Sequence, residues 1–106
     1  MRFCAVEYRS QSRGGTAFTI LLVFEDENSG LRFLVHPDWR SLVQPSDAKI
    51  ISELLVDFLE RADDQPAVLL EQLSSLGIGL LVTQQAGESI SDYPKLSELV
   101  PQFVQL

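Results

Sequence analysis

Two apolar runs of β-forming residues, Ala17–Phe24 and Leu31–His36, sit a short polar segment apart and constrain this chain more than anything else in it. The segment between them, Glu25-Asp26-Glu27-Asn28-Ser29-Gly30, ends in a hairpin signal. Along the first run Phe18, Ile20, Leu22 and Phe24 alternate with Ala17, Thr19, Leu21 and Val23, and successive strand side chains point to opposite faces. Neither set suits water. The run therefore predicts a central strand, paired along both edges and covered on both faces.

The neighbours of that strand follow from the flanking sequence. Arg2–Tyr8 alternates Phe3 and Ala5 with Cys4, Val6 and Tyr8 and predicts a first strand. Arg9–Gly15 is a polar connection whose paired glycines, Gly14 and Gly15, supply a turn. The first strand is then antiparallel to the central one. Leu31–His36 returns along the opposite edge until Pro37 removes a backbone donor.

Helical periodicity starts after Pro45. Ile50, Ile51, Leu54, Leu55, Phe58, Leu59 and Ala62 recur at steps of three and four residues, with Ser46 as the expected N-cap and Asp47 in the first turn. This apolar face fills about half the helix circumference, wide enough to meet both a sheet and a second helix. Asp63-Asp64-Gln65-Pro66 ends that helix and starts another, with Leu69, Leu70, Leu73 and Leu76 on its apolar side and Gly77 as its left-handed stop. Gly79–Gln85 predicts a fourth strand. Ser91 or Asp92 caps a last helix that Pro101 stops near Val100, leaving Phe103, Val104 and Leu106 as an irregular tail or as contacts to another subunit. The expectation is one α+β domain over residues 1–106, a three- to four-stranded antiparallel sheet in the order β-β-β-α-α-β-α, with helices mainly on one face.

Composition narrows the function classes. The net charge of −7 sits wholly in the second half: residues 1–49 hold six bases and six acids, residues 50–106 two bases and nine acids. That balance works against binding nucleic acid, whose affinity comes from neutralised phosphates, and favours solubility or a basic partner. No charge-free apolar run is long enough to span a bilayer as a helix. A single cysteine, Cys4, forms no internal disulfide and fits a reducing compartment; together these features point to the cytoplasm.

The densest chemistry is His36-Pro37-Asp38-Trp39-Arg40, holding the only histidine and the only tryptophan just past a strand end. A His beside an Asp is a candidate acid/base, and Arg40 a candidate anion clamp, with Tyr8 or Glu7 as possible helpers. The competing account is structural: a Pro that ends the strand, a Trp that plugs the core and charges left in water. Cys4 belongs inside a strand, where a thiol acts as a small apolar group. One Cys and one His make no zinc site, and Glu25-Asp26-Glu27-Asn28 lacks the spaced ligands of a calcium loop. Gly14-Gly15 lies near Arg9 and Arg13 but lacks a phosphate-binding fingerprint. No cofactor or metal is expected.

The element order is similar to that of ribonuclease-H-like folds and of small HicB-type antitoxin domains. A metal nuclease would need acids on the first strand, the helix and the fourth strand. Glu7 and Glu53 could serve as the first two, but the fourth strand offers Thr83, Gln84 and Gln85, which disfavours that activity. The antitoxin analogy fits an acidic module that binds a basic partner. The expected function is thus a non-enzymatic protein-interaction or regulatory module that self-associates through Leu21, Val23, Phe103 and Val104. Its alternative is a small enzyme or ligand-binding domain built on His36, Asp38 and Arg40.

Overall fold

The computed structural model describes residues 1–9, 17–28 and 30–106. The connection expected from Arg9 to Gly15 and the Ser29 position of the second turn lie outside the described residues, apart from Arg9 itself. The elements are β1 (Phe3–Arg9), β2 (Ala17–Glu25), β3 (Leu31–Val35), α1 (Trp39–Leu42), α2 (Pro45–Asp64), α3 (Pro66–Ser74), β4 (Gly77–Ile78), β5 (Leu81–Gly87), α4 (Pro94–Ser97) and β6 (Val104–Gln105). Single 3-10 turns at Ile90–Asp92 and Val100–Gln102 flank α4.

Six strands, rather than three or four, form one antiparallel sheet in the order β4-β5-β1-β2-β3-β6. The two extra strands are two residues each and lie at the margins. Strands that short carry no alternation of their own; the backbone of β5 and of β3 creates them. The α+β class holds, as does the central place of β2, paired with β1 on one edge and β3 on the other.

A pair of bulges corrects the expected division of β2 into two alternating faces. Register runs from Phe3 opposite Phe24 to Val6 opposite Leu21, then resumes at Glu7 opposite Thr19, so Ile20 is an extra residue. β5 does the same on the other side of β1, where Gln84 is extra between Thr83 and Gln85. Past the bulge β2 exchanges its faces. Phe18, Ile20, Leu21 and Val23 join Cys4, Val6 and Tyr8 in the core under the helices, while Leu22 and Phe24 join Phe3 and Ala5 on the other side.

The helix face is covered by α2 and α3. Pro45 takes the first helical position and Gln44 the cap, so Ser46 is not the cap expected from sequence. The buried stripe of α2 is Ile51, Leu55, Phe58 and Ala62, narrower than predicted, because Ile50 and Leu59 remain 47% and 36% exposed. α3 lies against β1 and β5, and buries Leu69, Leu70 and Leu73. Burial of Val23, Phe33 and Val35 then leaves α2 as the cover for β2 and β3. Gly77 is not the left-handed stop expected of it. It opens β4, and Gly79, with φ of +41°, turns that strand into β5.

The opposite face is divided. Phe3, Ala5, Leu22 and Leu34 are sealed by the segment that follows β5, through Leu96 and Phe103 with Ile90, Tyr93, Leu99 and Val100 around them. The expected last helix is thus a series of short turns: Pro94 opens α4 at its first position, and Pro101 sits in the first turn of the 3-10 turn that follows. Beyond this apolar half, Glu7, Arg9, Thr19 and Gln84 make a polar half of the same face.

Candidate interaction surface

The His36–Arg40 window leaves the end of β3 and its side chains part company. The His36 amide donates to the Ile20 carbonyl at 2.9 Å, which carries β3 one step past Val35 onto the bulge of β2. Its ring meets Phe103 edge-on at 5.5 Å between centroids, on the side of the sheet sealed by the C-terminal segment. Nδ1 accepts the Asp38 amide at 3.0 Å, and the Asp38 carbonyl accepts the Ser41 hydroxyl at 2.8 Å. These bonds turn the chain into α1. Trp39 goes the other way, into the helix-side core, at 6% exposure. Arg40 lies over the Trp39 ring at 4.7 Å and donates to the Ser52 hydroxyl of α2 at 2.9 Å. The structure therefore brings Trp39, Arg40 and Ser52 together and keeps His36 apart from Arg40.

The possible helpers are held elsewhere. Tyr8 is buried and donates its phenol proton to the Asp47 carboxylate at 2.5 Å, tying β1 to the first turn of α2. Glu7, the one buried charged residue among those described, accepts from Arg9 Nε at 2.6 Å. Glu53 is exposed on α2, so the acids a metal nuclease would use are not gathered. Among the described residues no group of three or more His, Cys, Asp or Glu side chains is placed to hold a metal ion. Burial pushes the Cys4 thiol up to about 12, which leaves no nucleophilic thiolate near neutral pH. Within the acidic turn, Glu25 pairs with Arg2 at 2.6 Å, and that hydrogen bond holds its carboxyl below the usual carboxylate range.

Two clefts flank the C-terminal segment. One of about 340 Å³ has Phe24, Leu34, Ile90 and Val100 as its apolar wall and Glu25–Glu27 with Arg32 at its rim. The other, about 470 Å³, is lined by Gln84, Gln85, Tyr93, Lys95 and Leu96 among others. Tyr93, one of its walls, is seated by close packing: a Cβ added at Gly87 would stand 3.1 Å from the Tyr93 ring and 3.2 Å from Phe3. None of His36, Asp38 or Arg40 lines either cleft.

Of the four residues expected to form an interface, three are inside the molecule. Leu21 and Val23 are fully buried: they pair in unbroken register with Val6 and Cys4, on the face that α2 and α3 cover. Phe103 is buried against His36 and Leu34 on the opposite side. Only Val104 reaches the surface, at 49% exposure. Two helices side by side, each about 10 Å across, cover about four strands at ~4.8 Å spacing, so a six-stranded sheet keeps bare margins. Val104 pairs with Val35 and Ile78 with Leu81, so both project from the helix side at those margins.

Sequence reasoning missed a further exposed apolar pair. Val56 and Leu59 stand on the flank of α2 that points away from α3, with Val56 55% exposed. Arg61, which donates to Gln72 of α3 and pairs with Asp57, marks the opposite flank. At ~100° per residue, Leu59 lies about 160° and Val56 about 140° round the helix from Arg61. Only Leu59 had a signal in the sequence, as the outer edge of a periodic apolar stripe too broad for one sheet-facing contact; Val56 lies outside that stripe. Comparison with protein-family models, with curated proteins and with solved structures finds no match for the chain.

Proposed function

We propose that this chain is a cytoplasmic protein-interaction or regulatory module that associates with itself and catalyses no reaction of its own. The observation that carries this reading is the partition of side chains on the finished surface. Chemistry-bearing groups are individually engaged in holding the fold, whereas Val56, Leu59, Val104 and Leu106 are left bare at the α2 and β6 side. Leaving a Val or Leu side chain in water forgoes about 1.5–3 kcal/mol of burial, which a partner surface recovers. The acidic second half favours a protein partner over nucleic acid, and no described helix is long and apolar enough to cross a membrane.

Light scattering behind size exclusion tests the reading. A mass above that of one 11.9 kDa chain, rising with loading concentration, is the expected result. A single monomer mass up to several hundred micromolar removes self-association. The alternative built on His36, Asp38 and Arg40 required those side chains to converge, and the divergence of His36 from Arg40 takes away its geometric support.

A further inference from the structure

The geometry points to the outer flank of α2 as the contact between two copies of this chain, packed antiparallel about a two-fold axis. This rests on the self-association proposed above and specifies its surface. Lys49, Ser52, Val56, Leu59 and Asp63 recur at steps of three, four, three and four residues. They fall within about 80° of helix circumference, the spacing of a helix–helix seam. The seam is apolar at its centre, with Val56 and Leu59 exposed, and charged at its ends.

The charges explain why the partner is another copy. At the start of α2 two exposed bases outnumber the one acid beside them: Lys49 is exposed, and the Arg40 guanidinium is brought onto the same flank by its bond to Ser52 and its seat over Trp39, against exposed Glu53. At the far end it is acidic, with Glu60 and Asp63 exposed. Among the described residues none of Lys49, Glu60 and Asp63 has an ion-pair partner. An antiparallel two-fold sets the basic end of one flank against the acidic end of the other twice over, with the two Val56 side chains meeting at the centre and each Leu59 packing beside the Ser52 turn of the other copy. A parallel arrangement would oppose like charges at both ends. A contact that uses the same patch on both subunits is what two-fold symmetry demands. The stretch from Lys49 to Asp63 is about 21 Å long, a small interface by the standard of stable complexes, so a dissociation constant in the micromolar range is expected.

Sedimentation equilibrium over a concentration series, with each variant first checked by circular dichroism and thermal melting for an unchanged fold, tests the seam. Val56→Asp, at an exposed site, raises the dissociation constant at least about tenfold. Lys49→Glu and Asp63→Lys, each alone, replace attraction by repulsion at two symmetric positions and weaken pairing about tenfold. Mixed one to one, those two variants form a heterodimer close to wild type in affinity, because each then offers the charge the other lacks. A wild-type dimer that Val56→Asp and Lys49→Glu leave unchanged overturns this contact while self-association stands. Two singly weakened variants that fail to recombine overturn the antiparallel arrangement. A wild type that is monomeric at every concentration overturns both.

Discussion

The two faces of the sheet are built from the same three central strands, yet they are covered in different ways. On one, Cys4, Val6, Ile20, Leu21, Val23, Phe33 and Val35 make a continuous apolar field, and two regular helices lie on it. On the other, the apolar field stops half way along β1 and β2, and among the described residues a broken run of short turns covers that half. The bulges at Ile20 and Gln84 mark the change. They bring an extra apolar residue under the helices and turn Thr19 and Gln84 towards Glu7 on the open side. Cover follows apolar area: regular helices where it is continuous, an adaptable segment where it is partial.

That contrast can be broken most forcefully at its centre. Leu21→Ala leaves a cavity beneath two rigid helices and is expected to cost about 4 kcal/mol of unfolding free energy, measured by denaturant titration. Equal stability of variant and wild type would mean that the helix face is not a packed core. Phe103→Ala removes more atoms but from a segment free to collapse, so about 2–3 kcal/mol is expected. Its distinguishing mark is local: hydrogen exchange should quicken across residues 90–106 while α2 and α3 keep their protection.

Cys4 sharpens the comparison through pH. Its folded thiol titrates at about 12 against an ordinary value of 9.0. Burial favours the neutral form, so the associated stability is complete below about pH 9 and is lost as pH rises towards the folded value. Relative to Cys4→Val, the wild type should lose about 1 kcal/mol between pH 8 and pH 10, read from paired urea curves. Parallel curves for the two proteins would place the thiol in contact with water. The smallest effect belongs to the polar half. Thr19→Ala removes the hydroxyl that donates to Gln84 at 2.5 Å across an open surface, and a loss of about 0.5 kcal/mol or less is expected in the same assay.

Legibility followed the range of the interaction that defines each feature. The β1–β2–β3 meander, the long amphipathic α2 and the start of α3 at Pro66 could be read from neighbouring residues, because alternation, three-to-four periodicity and proline act within one element. The cap of α2 shifted by two residues, since Pro45 is itself suited to the first helical position. The candidate surface was half legible. Val104 and the excess width of the α2 stripe were visible, but Leu21 and Val23 were assigned to the face away from the helices because no local pattern says which face of β2 the helices will cover. The His36–Arg40 window looked like a constellation only because adjacency in sequence does not show that successive side chains leave a strand in opposite directions.

What the amino-acid order settles by itself is an acidic α+β fold around the Ala17–Glu25 strand, since hydrophobic periodicity is a property of consecutive residues. The tertiary structure alone decides the two-residue margins β4 and β6, the exchange of faces at Ile20, and which flank of α2 is left facing solvent. Each depends on where another backbone or another helix happens to lie, and a two-residue strand or an extra residue in a register exists only with respect to its partner.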